Sequence, residues 1–325
     1  MTPVLTPELA GPLLAEILPD RGPISAVARF AEGPVTGAYR GAYRVSFAHH
    51  EVNPVVVKVY APEGRGSAAK EARALKLLRE RGIFAAPRVL GFRKAVDVLD
   101  GGACAVLSLR RGRTLSSVGP RLTPGQEREV WRQLGETLRR IHEVPTGAYG
   151  DINGDIIDPL PDNTTHMARR LGREFADFRQ AGGDPRLADR IEQHVAERAS
   201  AFAECAGPVL CHGDYHEANI LVVREADGHY RVSGVVDPEN MHAGDPLMDI
   251  VRADALSIEG NANKRAGLLE GYGVPGDDWP AEWRARMHLY RIALALELHN
   301  GFAGNGACRH LPGLVRELTE LLATA

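Results

Sequence analysis

Between residues 211 and 240 the chain reads CHGDYHEANILV, a short polar stretch, and then GVVDPEN. Two apolar runs, residues 220–223 and 231–236, predict paired strands, and Asp227-Gly228 between them is a strong hairpin-turn signal. Folding the chain about that turn pairs residues whose numbers sum to about 455. Asn219 and Asp237 then emerge side by side where the hairpin opens, with Asp214 on the loop just before. An amide and a carboxylate at adjacent strand ends suit one Mg²⁺ ion, and a second carboxylate nearby suits a general base. Asp-Gly pairs are common, and Asp237-Pro238 can simply end a strand. It is the joint spacing of His212, Asp214, Asn219 and Asp237 that points to phosphoryl transfer.

Bulk properties narrow the setting. With 325 residues, the chain has room for one large or two medium domains. Its 44% hydrophobic and 25% charged residues match a soluble globular protein. No run approaches the length of a membrane span, and the first twenty residues lack a basic start followed by an apolar core. Cys104, Cys205, Cys211 and Cys308 have no metal-ligand spacing, which suits thiols of a cytoplasmic protein. Charge is uneven: residues 1–150 carry 22 Lys and Arg against 14 Asp and Glu, whereas residues 151–325 carry 17 against 28. A basic front suits a phosphate-bearing ligand, and an acidic rear suits a cationic partner and argues against nucleic acid. Either imbalance also fits plain solvated surface.

The first hundred residues read as α+β. Strands are predicted at 24–30, 39–47, 54–60, 89–92 and 103–109, with a helix over 67–81 that Ser67 would cap. Beyond Leu109 the pattern turns helical. Thr123-Pro124-Gly125-Gln126 is a capping box, and Val130, Leu134, Leu138 and Ile141 form the stripe of an amphipathic helix. Further helices are predicted over 165–180, 186–202, 246–259, 263–271, 279–300 and 311–323. A boundary at 109–112 divides a nucleotide-binding part, 1–109, from a helical part with the hairpin and acceptor site, 110–325. The crevice between two such lobes is the natural ligand site.

Within VVVKVY, Lys58 interrupts a run of valines, where a covered lysine needs a partner. Glu71, thirteen residues on and beside the Ala74, Leu75 and Leu78 face of the next helix, supplies one. Such a pair can hold the α and β phosphates of ATP. The turn EGPVTGAYRGAY carries Gly33, Gly37 and Gly41 and could lie over phosphates, but it follows neither glycine-loop signature.

HGDYHEANILV followed by VVDPEN resembles the catalytic core of the aminoglycoside phosphotransferase family, small-molecule kinases with a protein-kinase-like fold. The resemblance extends over PRVLGF, VLSLRRGRTL, LRRIHEVP and GDPLMDI. It implies a bilobal α+β fold with a small antiparallel N-lobe and a larger helical C-lobe. It further implies that Asp214 is the catalytic carboxylate, that His212 orients its loop, and that Asn219 and Asp237 hold Mg²⁺. Lys58 would contact the ATP phosphates with Glu71 positioning it, and the backbone at Leu107 and Leu109 would bind adenine. Asp249 and Asp245 would tie the following helix to the catalytic loop, and Glu239 would assist metal or substrate or face water.

The acceptor is less constrained. An aminoglycoside or other antibiotic leads, with amines meeting Asp151, Asp155, Asp158 and Asp162, or Asp277, Asp278 and Glu282, unless these acids face water. A metabolite kinase acting on an amino alcohol, homoserine or a sugar follows closely, and fewer acids in the acceptor cleft would favour it. A non-catalytic nucleotide-binding pseudokinase is the reading from another class. The intact Lys58, Asp214, Asn219 and Asp237 argue against it.

Overall fold

The valines around Lys58 alternate between two covered faces, and that alternation organises the first part of the fold. A computed structural model of the chain describes residues 5–30, 39–49 and 51–323. Five antiparallel strands, β1 (Ile24–Arg29), β2 (Tyr39–Phe47), β3 (Val55–Tyr60), β4 (Val89–Val96) and β5 (Gly102–Ser108), form a sheet in the order β1-β2-β3-β5-β4. Val55, Val57 and Val59 face a core shared with Ala10, Leu13 and Leu14 of helix α1 (Pro7–Ile17). Lys58 and Tyr60 point to the opposite face by the two-residue period of a strand. There Tyr60 packs with Ala103 and with Ala68 of helix α2 (Arg65–Glu80). Both faces of β3 are therefore closed, which is why a nearly uninterrupted valine run suits it.

Two details depart from the sequence pattern. Helix α2 begins at Arg65 after Gly64, two residues before Ser67, and no side chain caps it. Helix α1 is an element the pattern did not reveal. Thr6 caps it, Pro12 lies within it, and its buried Ala10, Leu13 and Leu14 supply the packing that outweighs the lost backbone donor.

The described residues fall into two compact units: 1–117 with 218–240, and 118–217 with 241–325. The hairpin thus belongs with the sheet, although a single cut near Leu109 would place it with the helices. Strand β6 (Arg113–Thr114) explains this, because it pairs with the first hairpin strand through Leu221↔Thr114 and Val222↔Arg113. Arg110 also donates to the Ser233 carbonyl from Nε at 2.7 Å, and the Ser233 hydroxyl donates to the Arg111 carbonyl at 2.5 Å. Gly112, at φ 127°, passes so close to the hairpin that a Cβ there would stand 2.5 Å from the Val222 carbonyl oxygen.

The first unit's leading segment ends within α3 (Leu115–Val118), and the second unit then opens with α4 (Pro124–His142), started by the Thr123–Gln126 capping box. Strands β7 (Tyr149–Asn153), β8 (Asp155–Leu160), β9 (Val209–Cys211) and a later strand, His242–Gly244, form a small sheet. Helices α5 (Asn163–Gln180), α6 (Pro185–Arg198), α7 (Leu247–Ala253), α8 (Ala262–Tyr272), α9 (Ala281–Gly304) and α10 (Leu311–Leu321) complete it. Helices α4 and α8 meet backbone to backbone. A Cβ on Gly271 would fall 1.8 Å from the Arg132 carbonyl oxygen, and one on Gly135 would fall 2.2 Å from that of Leu268. No described helix is long and apolar enough to cross a membrane.

Candidate active site

The hairpin strands, β10 (Ile220–Arg224) and β11 (Tyr230–Val235), pair Ile220 with Val235 and Leu221 with Gly234. A bulge then shifts the remaining pairs by one residue. At the open end the Val236 N–H donates to the Asn219 carbonyl at 3.0 Å, which sets Asp237 one residue beyond Asn219's partner. Asp237 adopts φ 64°, a left-handed conformation uncommon for a residue with a side chain. In that conformation its Oδ1 lies 2.8 Å from Lys58 Nζ.

Lys58 sits mid-strand between Ala42 and Ala105, and its ammonium also donates to Glu71 Oε1 at 2.8 Å. Glu71 comes from the buried face of α2 and is only 1% exposed. The Tyr60 phenol donates to Glu71 Oε2, a partner that the sequence pattern did not suggest. The rings of Tyr39 and Tyr60 stand 5.3 and 6.0 Å from the Lys58 nitrogen, within range of cation–π attraction. Burial alone would lower the Lys58 pKa, but the charges of Glu71 and Asp237 reverse this and hold it well above the ordinary value. Burial raises the Glu71 carboxyl, against the pull of Lys58. Burial also pushes the Tyr39 phenol up to about 12.

Asn219 is buried and Asp237 half-buried, so the hairpin end presents an amide and a carboxylate, both hard oxygen donors. That donor chemistry fits Mg²⁺. His142, Cys211 and Asp249 also cluster, but all three are buried and already engaged: His142 with Asp249, Asp249 with the His212 N–H, and the Cys211 thiol with the Asp245 carbonyl. Leu107 lies inside β5 with strands on both sides, whereas Leu109 follows the last strand residue, Ser108. Of the glycine-rich turn, Gly33 and Gly37 lie outside the described residues, and Gly41 belongs to β2.

In the second unit, β9 delivers His212, Gly213 and Asp214 in a loop held by its backbone. Asp249, in the first turn of α7, accepts from the N–H of His212 at 2.6 Å and of Gly213 at 2.8 Å. Its Oδ2 also lies 3.1 Å from His142 Nε2, and His142 Nδ1 lies 2.7 Å from the Tyr272 hydroxyl. Burial would raise the Asp249 pKa, but the His142 hydrogen bond and nearby histidine charges hold it far below the carboxylate range. Asp245 acts elsewhere: it accepts from the Leu247 N–H and binds Arg286 and the Tyr290 hydroxyl. His212 is fully buried, and its Nδ1 accepts from the Asp214 N–H at 3.3 Å. The Tyr215 hydroxyl donates to the Leu134 carbonyl and anchors the far side of the loop.

Asp214 itself is 22% exposed. Its Oδ1 meets His216 Nε2 at 3.3 Å and Arg252 Nη1 at 3.2 Å. Gly213, Arg252, Arg170 and Glu297 line a cleft in this unit. The acids expected to form an amine-binding wall lie outside it. Asp151, Asp155, Asp158 and Asp162 are exposed, and Asp162 caps α5. Asp277, Asp278 and Glu282 are exposed as well, with Asp278 paired to Arg265 and Arg284.

Known proteins resemble this chain in sequence and in fold. Streptomycin 3''-kinase of Streptomyces griseus is 28% identical over 212 residues, 62% of this chain and 72% of that protein. A ternary complex of aminoglycoside phosphotransferase APH(4)-Ia with AMP-PNP and hygromycin B superposes with TM-score 0.69 at 15% identity, over 96% of this chain and 97% of that one. A proposed fructosamine-3-kinase from Thermobifida fusca YX-ER1 gives TM-score 0.66 at 20% identity, over 95% and 98% of the two chains. These likenesses establish the bilobal kinase-like fold: an antiparallel sheet unit and a larger, mainly helical one. The profile of the phosphotransferase enzyme family matches residues 36–285, more than half of the sequence, and the chain belongs to that family of enzymes.

Proposed function

We propose that this enzyme, an ATP-dependent small-molecule kinase, transfers the γ-phosphate to a hydroxyl of an amine-bearing sugar, with an aminoglycoside as the leading acceptor. The observation that carries the reading is Asp214. It is a partly exposed carboxylate, held ionised on a loop whose backbone Asp249 fixes. A base for an acceptor hydroxyl needs that state and that placement.

Each unit contributes its own groups. In the first, Lys58 holds nucleotide phosphates, oriented by Glu71, which Tyr60 in turn fixes. Asn219 and Asp237 would hold Mg²⁺, which supplies charge neutralisation on the phosphate oxygens. Leu109, one residue past the strand end, is better placed than Leu107 to offer its backbone to adenine. In the second unit, Asp214 orients the acceptor hydroxyl and accepts its proton, while His212 keeps the loop in shape.

The relatives support an aminosugar: one is named for streptomycin, one binds hygromycin B, and one is a proposed fructosamine kinase. A second reading, a metabolite sugar or amino-alcohol acceptor, is favoured by the cleft lining. Its charged groups, Arg170 and Arg252 with Asp249 and Glu297, balance, and it holds none of the acidic residues after α4 or around Trp279.

The test is Mg²⁺-dependent ATP consumption across aminoglycosides, other hydroxylated antibiotics, fructosamines, choline, homoserine and simple sugars, with Asp214→Asn as control. Acceptor-dependent turnover that falls at least about 100-fold in the control, with ATP affinity retained, is expected. ATP binding without turnover on any acceptor would favour a pseudokinase.

A further inference from the structure

Arg252 lies three residues after Asp249 on α7, so one helix face presents both toward the same loop. Asp249 takes two backbone N–H groups of that loop, and Arg252 takes the side chain of Asp214. Arg252 is only 7% exposed, and its second nitrogen donates to Glu297 Oε1 of α9 at 2.5 Å. Glu297 Oε2 accepts in turn from Arg170 of α5 at 2.6 Å. Two carboxylates and two guanidinium groups thus alternate in a row that draws on three helices and the catalytic loop.

We propose that Arg252 is a positioning residue for phosphoryl transfer: through Oδ1 it fixes the orientation of the Asp214 carboxylate toward the acceptor hydroxyl. Glu297 and Arg170 act behind it, holding the guanidinium in place so that it does not turn toward the acceptor. This rests on the reading of Asp214 as the acceptor's base.

The chemistry suits arginine. A planar guanidinium never loses its proton in this setting and can serve two carboxylates from separate nitrogens. A lysine would offer one compact charge that can follow either partner. Among the groups facing Asp214 are His216 from its own loop, Arg252 from α7 and His212. Burial would raise the Asp214 pKa, and the His216 hydrogen bond and the charges of His216 and Arg252 outweigh it. The Arg252 guanidinium keeps its charge at every working pH.

The test compares wild type with Arg252→Gln, Arg252→Lys and Glu297→Gln, each shown folded by circular dichroism. Turnover is followed against pH, and the Asp214 carboxyl is titrated by NMR in protein labelled with ¹³C-aspartate, its signal assigned by Asp214→Asn. Arg252→Gln is expected to lower kcat about 100-fold while the KM for ATP stays within about twofold. The acidic limb of kcat/KM and the Asp214 titration should both move to higher pH. Arg252→Lys should keep the limb near its wild-type position and still lose kcat, because charge is retained and geometry is not. Glu297→Gln should lower kcat without moving the limb. A folded Arg252→Gln protein with unchanged kcat and unchanged Asp214 titration overturns the proposal. If that variant does not fold, full kcat in Arg252→Lys overturns it instead. Wild-type protein that turns over no acceptor would overturn the proposed function, and the titration would still decide whether Arg252 governs Asp214.

Discussion

Lys58 Nζ lies 2.8 Å from Asp237 Oδ1, which joins residues 179 apart in the chain. With Glu71 at the same distance, one ammonium answers two carboxylates at the end of the hairpin. The left-handed backbone of Asp237 is what turns its carboxylate to that ammonium.

Replacing Lys58 with Met removes the cation paired with Glu71 and leaves that carboxyl buried. The variant should lose about 3 kcal/mol or more in urea unfolding, and about 10²- to 10³-fold in kcat/KM for ATP. Lys58→Met with Glu71→Leu should be more stable than Lys58→Met alone, because the unpaired acid is gone. Equal or additive losses would show that the pair is not coupled.

Asp249→Asn tests the loop's anchor. The amide can present a donor toward the N–H groups of His212 and Gly213, which the carboxylate accepts. A loss of about 2–3 kcal/mol is expected, with kcat falling and ATP affinity unchanged. ATP titration calorimetry beside turnover separates this from a general weakening, which would reduce both.

Stability should fall on the acid side through His166. Burial, then the charge of His242, lowers its pKa from 6.5 to about 4. A histidine with a folded value below its unfolded one binds its proton more readily when unfolded. Its contribution is therefore complete above 6.5 and is lost as pH falls toward 4, by about 2–3 kcal/mol. His166→Phe should flatten unfolding free energy over that window; an unchanged slope would assign the effect elsewhere.

Gly271→Ala addresses the α4–α8 contact. An added methyl would meet the Arg132 carbonyl, so the helices must separate, at about 1–3 kcal/mol. Tyr272 follows Gly271 and binds His142, so kcat should fall along with Tm. A drop in Tm alone would show that the tyrosine keeps its place.

Much of this was legible in the residues, and the gaps have physical causes. The hairpin register follows from turn chemistry and strand period, both local, so Asn219 and Asp237 could be placed by counting. Lys58 and Glu71 were legible because a charge among valines requires a partner. Tyr60 was not, since a phenol at a strand end reads as packing. Arg252 looked like any helical cation: its partners, Asp214 and Glu297, lie 38 and 45 residues away. Helix α1 carries Gly11 and Pro12 in its interior, poor helix formers whose cost tertiary burial offsets.

The sheet unit takes residues 1–117 and 218–240, so 100 residues of the other unit are synthesised in between. A ribosome adding about 5–20 residues per second would release β5 seconds before the hairpin that completes the unit. During that interval Lys58 and Glu71 would already be made, while Asp237 would not. A circular permutant that begins at residue 218 would reverse that order, so that the hairpin is made before the sheet it completes.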